Sequence, residues 1–128
     1  MSNQNAKVIF EYTIENAVED GCLFNLSREF KNEVCELGIN IPVYCSKFVY
    51  ENYIDLTECA KKMLNDKKGR AWDILFMARF MMHKAVKNGY SHFVFYCVVD
   101  EMEATEITAV LKFDGYNFFI LKDLSDDW

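Results

Sequence analysis

Two arginines and an aspartate, Arg70, Asp73 and Arg79, share the segment GRAWDILFMARF, where turns of a helix would carry them past one another. Guanidinium groups recognise phosphates and carboxylates, so this trio is a candidate anion or nucleotide site. Arg79 lies among apolar residues and, since its charge cannot be shed, demands a carboxylate or an aromatic face. His83 and His92 are the only histidines, and the cysteines are Cys22, Cys35, Cys45, Cys59 and Cys97. No pair of them has the knuckle or helical spacing that zinc needs, so no metal and no cofactor is expected. A Cys–His nucleophile would have to be assembled by the fold, because nothing local supports one. Glycine-rich phosphate loops and serine elbows are absent from the sequence.

Carboxylates are the most abundant reactive groups. They cluster as Glu15, Glu19 and Asp20, as Glu29, Glu33 and Glu36, and as Asp100, Glu101, Glu103 and Glu106, with Asp123, Asp126 and Asp127 near the end. Solvated helix faces and loops account for most such clusters. A negative surface of this kind can also imitate nucleic-acid phosphates and occupy a basic groove on another protein. With net charge −6 and pI near 4.9, the chain is not expected to bind nucleic acid directly.

The elements that must position these groups follow from apolar periodicity. At 128 residues one domain is expected over 1–128, with a core that needs no disulfide. The odd cysteine count, an N-terminus without an apolar leader and the lack of a long apolar run suggest reduced thiols in a cytoplasm and no membrane contact.

Lys7–Tyr12 reads as a strand, Thr13 as a helix cap and Gly21 as a helix end. Cys22–Leu26 reads as a second strand. Ser27 is placed to cap a helix with the stripe Phe30, Val34 and Leu37, closed by Gly38. Ile39–Cys45 contains the single proline, Pro42, and reads as an edge strand or irregular crossover. Ser46 caps a short helix, and a further one runs from Asp55 or Thr57 to Leu64.

Gly69–Asn88 is the strongest helix signal. Arg70, Asp73, Lys84, Lys87 and Asn88 are expected to face water, and Trp72, Leu75, Phe76, Ala78, Met82 and Val86 the sheet. Met77, Phe80 and Met81 fall close to the charged side. Either earlier helices cover them or they form a partner or dimer surface. Beyond Gly89 the period becomes two: His92–Val99, Glu106–Phe113 and the strand after Asp114-Gly115, a hairpin signal of type I′. The expected fold is α+β, a C-terminal three-stranded antiparallel meander packed on one long central helix, completed by short N-terminal helices and strands.

Two stretches carry a family likeness. Tyr12–Ser27 (YTIENAVEDGCLFNLS) with INIPVYCS, and GRAWDILFMARF, resemble a family of small proteins of unknown function carried by phages, plasmids and other mobile elements. Its recurrent polar positions map onto Tyr12, Thr13, Asp20, Gly21, Pro42, Gly69, Arg70 and Asp73, and VLKFDGYNFFI resembles its last two strands. The chain departs from the pattern in having only Asp114-Gly115 where members carry a longer Gly/Asp-rich loop. The resemblance implies genomic setting more than chemistry.

The leading expectation is a non-enzymatic binding protein, an inhibitor of a host defence protein of the anti-CRISPR or anti-restriction type. It would occlude a basic groove through Glu29, Glu33, Glu36, Asp100, Glu101, Glu103 and Glu106, with Met77, Phe80 and Met81 as apolar contacts. The alternatives are a module that sequesters a nucleotide near Arg70, Asp73 and Arg79, or a small enzyme of unknown type.

Overall fold

A computed structural model describes residues 14–55, 67–97 and 105–126. The expected strand at Lys7–Tyr12, the Thr13 cap, the helix ending at Leu64, Cys59, Trp128 and the loop residues Asp100, Glu101 and Glu103 lie outside them. The chain is α+β: a five-stranded mixed sheet with helices packed against it.

Residues 14–19 are helical and are labelled α1. There follow β1 (Leu23–Asn25), α2 (Leu26–Glu29), α3 (Lys31–Glu36), β2 (Val43–Ser46) and α4 (Lys47–Val49). A π-helical turn, Tyr50–Ile54, continues from α4. The C-terminal half holds α5 (Lys67–Arg79), α6 (Met82–Asn88), β3 (Tyr90–Cys97), β4 (Thr105–Phe113) and β5 (Phe118–Leu121). Spatial order in the sheet is β1-β2-β5-β4-β3. Only the β2–β5 pair is parallel, with Val43 opposite Phe118 and Cys45 opposite Ile120.

The C-terminal strands therefore do not end in a self-contained meander, because β5 hands the sheet on to β2. That placement overturns the edge position expected for the Pro42 segment. Pro42 immediately precedes β2, so its missing N–H removes no ladder bond, while its carbonyl accepts from Phe118 N–H (2.9 Å). The hairpin between β4 and β5 is present, with a loop of residues 114–117 instead of two residues. Asp114 Oδ1 accepts from both Tyr116 and Asn117 N–H (2.7 Å each), an Asx turn that Gly115 completes at φ 103°.

Alternation sends each strand's residues to two different cores. Phe93, Phe95, Leu111, Phe118 and Ile120 meet the helical layer of α2–α6. Val110, Phe119, Leu121 and Leu23 meet Ile14 and Ala17 of α1 on the opposite face. The stripe Phe30, Val34 and Leu37 is buried, as its spacing predicts.

Its helix differs from the expected one in two ways. Asn25, not Ser27, is the cap, its Oδ1 accepting from Arg28 N–H (3.0 Å). Ser27 Oγ is turned to Val43 N–H (2.8 Å), tying α2 to β2. The backbone also breaks at Phe30 (φ −117°, ψ 49°), dividing the segment into α2 and α3.

The central rod is also two helices. Met81 (φ −103°, ψ −1°) interrupts the run, while the buried face keeps its phase across the break. The buried stripe is Ala71, Ile74, Leu75, Ala78 and Ala85, and three small side chains at seven-residue spacing seat the helices close to β3. This turns the rod relative to the expected orientation: Leu75 and Ala78 are buried as expected. Phe76 and Val86 are exposed, Trp72 and Met82 are half-buried, and Arg70, expected in water, is buried.

Gly89 ends α6 at φ 90°, its N–H donating to Ala85 carbonyl (2.7 Å). A Cβ there would touch nothing, so Gly89→Ala isolates the backbone cost. It is expected to lower stability by about 1–2 kcal/mol in urea denaturation.

Ser46 holds three elements together as expected of a cap. Its Oγ accepts from Val49 N–H (3.4 Å) and donates to Asp126 Oδ2 (2.7 Å), and Asp126 Oδ2 also accepts from Lys122 N–H (3.0 Å). Ser46→Ala strips both contacts and should cost about 1–2 kcal/mol, read as a fall in the urea midpoint at constant slope.

Candidate functional site

The rotated rod presents a continuous aromatic strip to solvent. Trp72, Phe76 and Phe80 follow one another along α5 and into the break at spacings of four, which stack side chains on one helix face. Trp72 and Phe76 lie with ring centroids 6.4 Å apart, and Phe76 and Phe80 meet edge to face at 5.2 Å. Phe76 is 36% exposed and Phe80 56%.

Arg79 has no carboxylate partner among the described residues. It is exposed, and its guanidinium carbon sits 5.2 Å from the Phe76 ring centroid and 5.1 Å from that of Phe80. Two aromatic faces thus hold the charge in place while leaving the donors in water.

Beside this strip runs a groove of about 330 Å³, between the segment after α3 and the α5–α6 junction. Its floor is Leu37, Ile39, Ile41, Met82, Val86 and Phe118; Asn40, Arg79 and His83 bring polar atoms. No carboxylate of the described residues lines it, although acids outnumber bases 20 to 14 in the chain. Of the expected apolar contacts, Phe80 belongs to this surface, whereas Met77 and Met81 are half-buried against the core.

The arginine–aspartate trio is not brought together. Arg70 points inward, 7% exposed, its Nε donating to Tyr53 carbonyl (2.6 Å) and its Nη2 to Cys97 Sγ (2.6 Å). Arg79 faces the groove with its aromatic neighbours. Asp73 is exposed on α5. Partial desolvation pushes its carboxyl up, and the Arg70 charge pulls it back. Neither this groove nor the cavity between α1 and β2 is lined by all three.

The acidic groups are dispersed. Glu29 Oε2 accepts from Tyr50 O–H (2.7 Å), and Glu36 and Glu106 are exposed, Glu106 within reach of Tyr96 O–H (3.4 Å). Glu33 is half-buried on α3. Burial, together with the Glu29 carboxylate it donates to, pushes the Tyr50 phenol well above its ordinary range. A second cavity, about 300 Å³, lies between α1 and β2 and contains Glu15, Glu19, Asn25, Arg28 and Tyr44. Its two carboxylates outnumber its single arginine.

Cys22 and Cys35 are exposed thiols, and Cys45 and Cys97 are buried. Burial, with Glu29 and Asp126 nearby, pushes the Cys45 thiol well up. His83 and His92 are exposed and lie on different elements. No group of three His, Cys, Asp or Glu among the described residues is arranged to hold a metal. No helix among them is long and apolar enough to cross a membrane.

Comparison of the chain with protein-family models, with curated proteins and with solved structures found no match. The mobile-element resemblance thus remains an expectation from the sequence.

Sequence reasoning missed two features: the Phe76–Arg79–Phe80 clamp and the Arg70–Cys97 contact. The first was hidden by assigning Trp72 and Phe76 to the sheet face, and the Ala71, Ala78, Ala85 repeat was the signal that could have set the true orientation.

Proposed function

We propose that this chain is a protein-binding module, and that it docks on a host protein through the Phe76–Arg79–Phe80 strip and the adjoining groove. The observation that carries the reading is the exposed arginine held between two exposed phenylalanines. Aromatic residues and arginine dominate the energetic centres of protein interfaces, and a pre-stacked guanidinium loses little entropy on binding. A groove with an apolar floor, an arginine and no acid among the described residues suits a partner segment of apolar side chains carrying a carboxylate.

The mobile-element setting rests on the resemblance of Tyr12–Ser27 and Gly69–Phe80 alone. Within that setting, the aromatic strip replaces the acidic clusters as the main contact. Glu29 is engaged by Tyr50 and Glu33 is half-buried, whereas Phe76 and Phe80 stand open to solvent.

Affinity capture with three versions of the chain tests the assignment: the wild type, an Arg79→Ala/Phe80→Ala variant, and a Glu29→Lys/Glu33→Lys/Glu36→Lys variant. A partner kept by the wild type and the charge-reversed chain, and lost by the double variant, supports the aromatic surface. Loss on charge reversal alone, with retention that weakens as salt rises, would establish groove mimicry instead. Light scattering on the purified chain separates either result from self-association.

A further inference from the structure

The two edges of the sheet are defended differently. At one end β1 is only three residues long, Leu23–Asn25. At the other, β3 runs eight residues, Tyr90–Cys97, and pairs with β4 in one unbroken register without a bulge. It holds no proline and no Lys, Arg, Asp or Glu, in a chain with 27% charged residues. Shortness, bulges, prolines and charges are the usual means of blocking an open edge, and β3 has none of them.

The direction of its backbone groups follows from one bond. Phe113 N–H donates to Gly89 carbonyl (2.8 Å), and Tyr90 stands opposite Lys112. Bonded and non-bonded pairs alternate in an antiparallel ladder, so Ser91, Phe93, Phe95 and Cys97 turn their backbone groups to β4. Tyr90, His92, Val94 and Tyr96 turn theirs outward, where no strand among the described residues takes them up. The contact found there is local: His92 carbonyl accepts from Ser91 Oγ–H (3.2 Å), using one of its two lone pairs. These four residues carry their side chains on the face away from α5 and α6, with Tyr90 42% and Tyr96 60% exposed.

We propose that the β3 edge pairs antiparallel with β3 of a second copy, about a twofold axis at Phe93, joining the two five-stranded sheets into one. Tyr90 then lies opposite Tyr96 of the second copy, and His92 opposite its Val94. This register bonds every outward N–H and C=O of both strands. A slip of two residues carries Tyr90 or Tyr96 past the end of the opposite strand, and a slip of one sets outward groups against groups already spent on β4.

The surroundings fit a second copy. On β4, Lys112 flanks Tyr90 and Glu106 flanks Tyr96, so the twofold sets the lysine end of each copy beside the glutamate end of the other. No like charges oppose one another across the paired strands, which matters for a chain of net charge −6. Tyrosines meet at both ends, and tyrosine is enriched at interfaces. The buried clusters of one copy are complete without the other, so a single copy stays folded on dilution. The inference is independent of the aromatic strip on α5.

Sedimentation equilibrium of the intact chain from about 1 to about 300 µM tests the pairing; one shared edge is a small interface, so half-dissociation is expected at about 10–100 µM. Val94→Lys places a charge on the edge, and Val94→Pro removes an outward N–H while leaving the β4 ladder intact. Each should weaken association at least about tenfold. Arg79→Ala/Phe80→Ala should leave it unchanged. Amide hydrogen exchange on the wild type needs no variant: the amides of Tyr90, His92, Val94 and Tyr96 should slow as concentration rises. A chain that is monomeric throughout overturns the proposal. So does a dimer kept by folded Val94 variants or lost with Arg79 and Phe80, or edge-amide exchange that ignores concentration.

Discussion

Phe95→Ala is expected to lower unfolding free energy by about 3–5 kcal/mol, the cost of removing a large aromatic side chain from a packed core. Phe95 is 1% exposed on β3, edge-on to Tyr53 at 5.5 Å and beside Phe93 at 5.8 Å. It joins the sheet to the π-helical turn and to α5, so the neighbours on both sides are anchored and cannot collapse into the void. Domains of this size are commonly stable by only about 5–15 kcal/mol, so the variant should melt far below the wild type. Tyr96→Ala, one residue along and 60% exposed, is the matched control and should change stability by less than about 0.5 kcal/mol. The test is a pair of urea curves with equal slopes and well-separated midpoints. A midpoint lower for Tyr96→Ala than for Phe95→Ala would mean that the assignment of β3 side chains to the two faces is reversed.

Arg70→Met should act in the opposite direction. Exchanging a buried, incompletely satisfied guanidinium for an apolar chain of similar length removes a desolvation cost without opening a large cavity. Such replacements are commonly neutral or stabilising by about 1–4 kcal/mol. No charge is stranded, because the groups that Arg70 contacts, the Tyr53 carbonyl and the Cys97 thiol, are neutral and hydrogen-bond each other. A raised melting temperature would show that the arginine is kept at a cost to stability, as expected of a group with a task. A fall of several kcal/mol would show instead that Arg70 is a structural tie between α5, the π-helical turn and β3.

These two expectations rest on different amounts of sequence information. The alternation of His92 to Val99 assigns Phe93 and Phe95 to one face and Tyr96 to the other without reference to anything outside the strand. Arg70 could not be placed that way. Its neighbours in a helical projection suggested water, and only the packing of Ala71, Ala78 and Ala85 onto β3 turned it inward. The same rotation exposed Phe76, which had been expected against the sheet. Ser27 shows the difficulty on a smaller scale: it has the chemistry of a cap and the position of one, yet it serves a strand sixteen residues away.

Local chemistry alone determined the α+β class, the glycine at the end of α6, the cap at Ser46, the hairpin after Phe113 and the apolar stripe of α3. Each depends on interactions within a few residues, where backbone sterics and side-chain period leave few choices. Only the tertiary structure decided that β2 enters the sheet beside β5 and that Arg70 meets Cys97. Those outcomes depend on contacts between residues far apart in the chain, whose energies arise from packing and desolvation in a shared interior. No window of the sequence contains both partners.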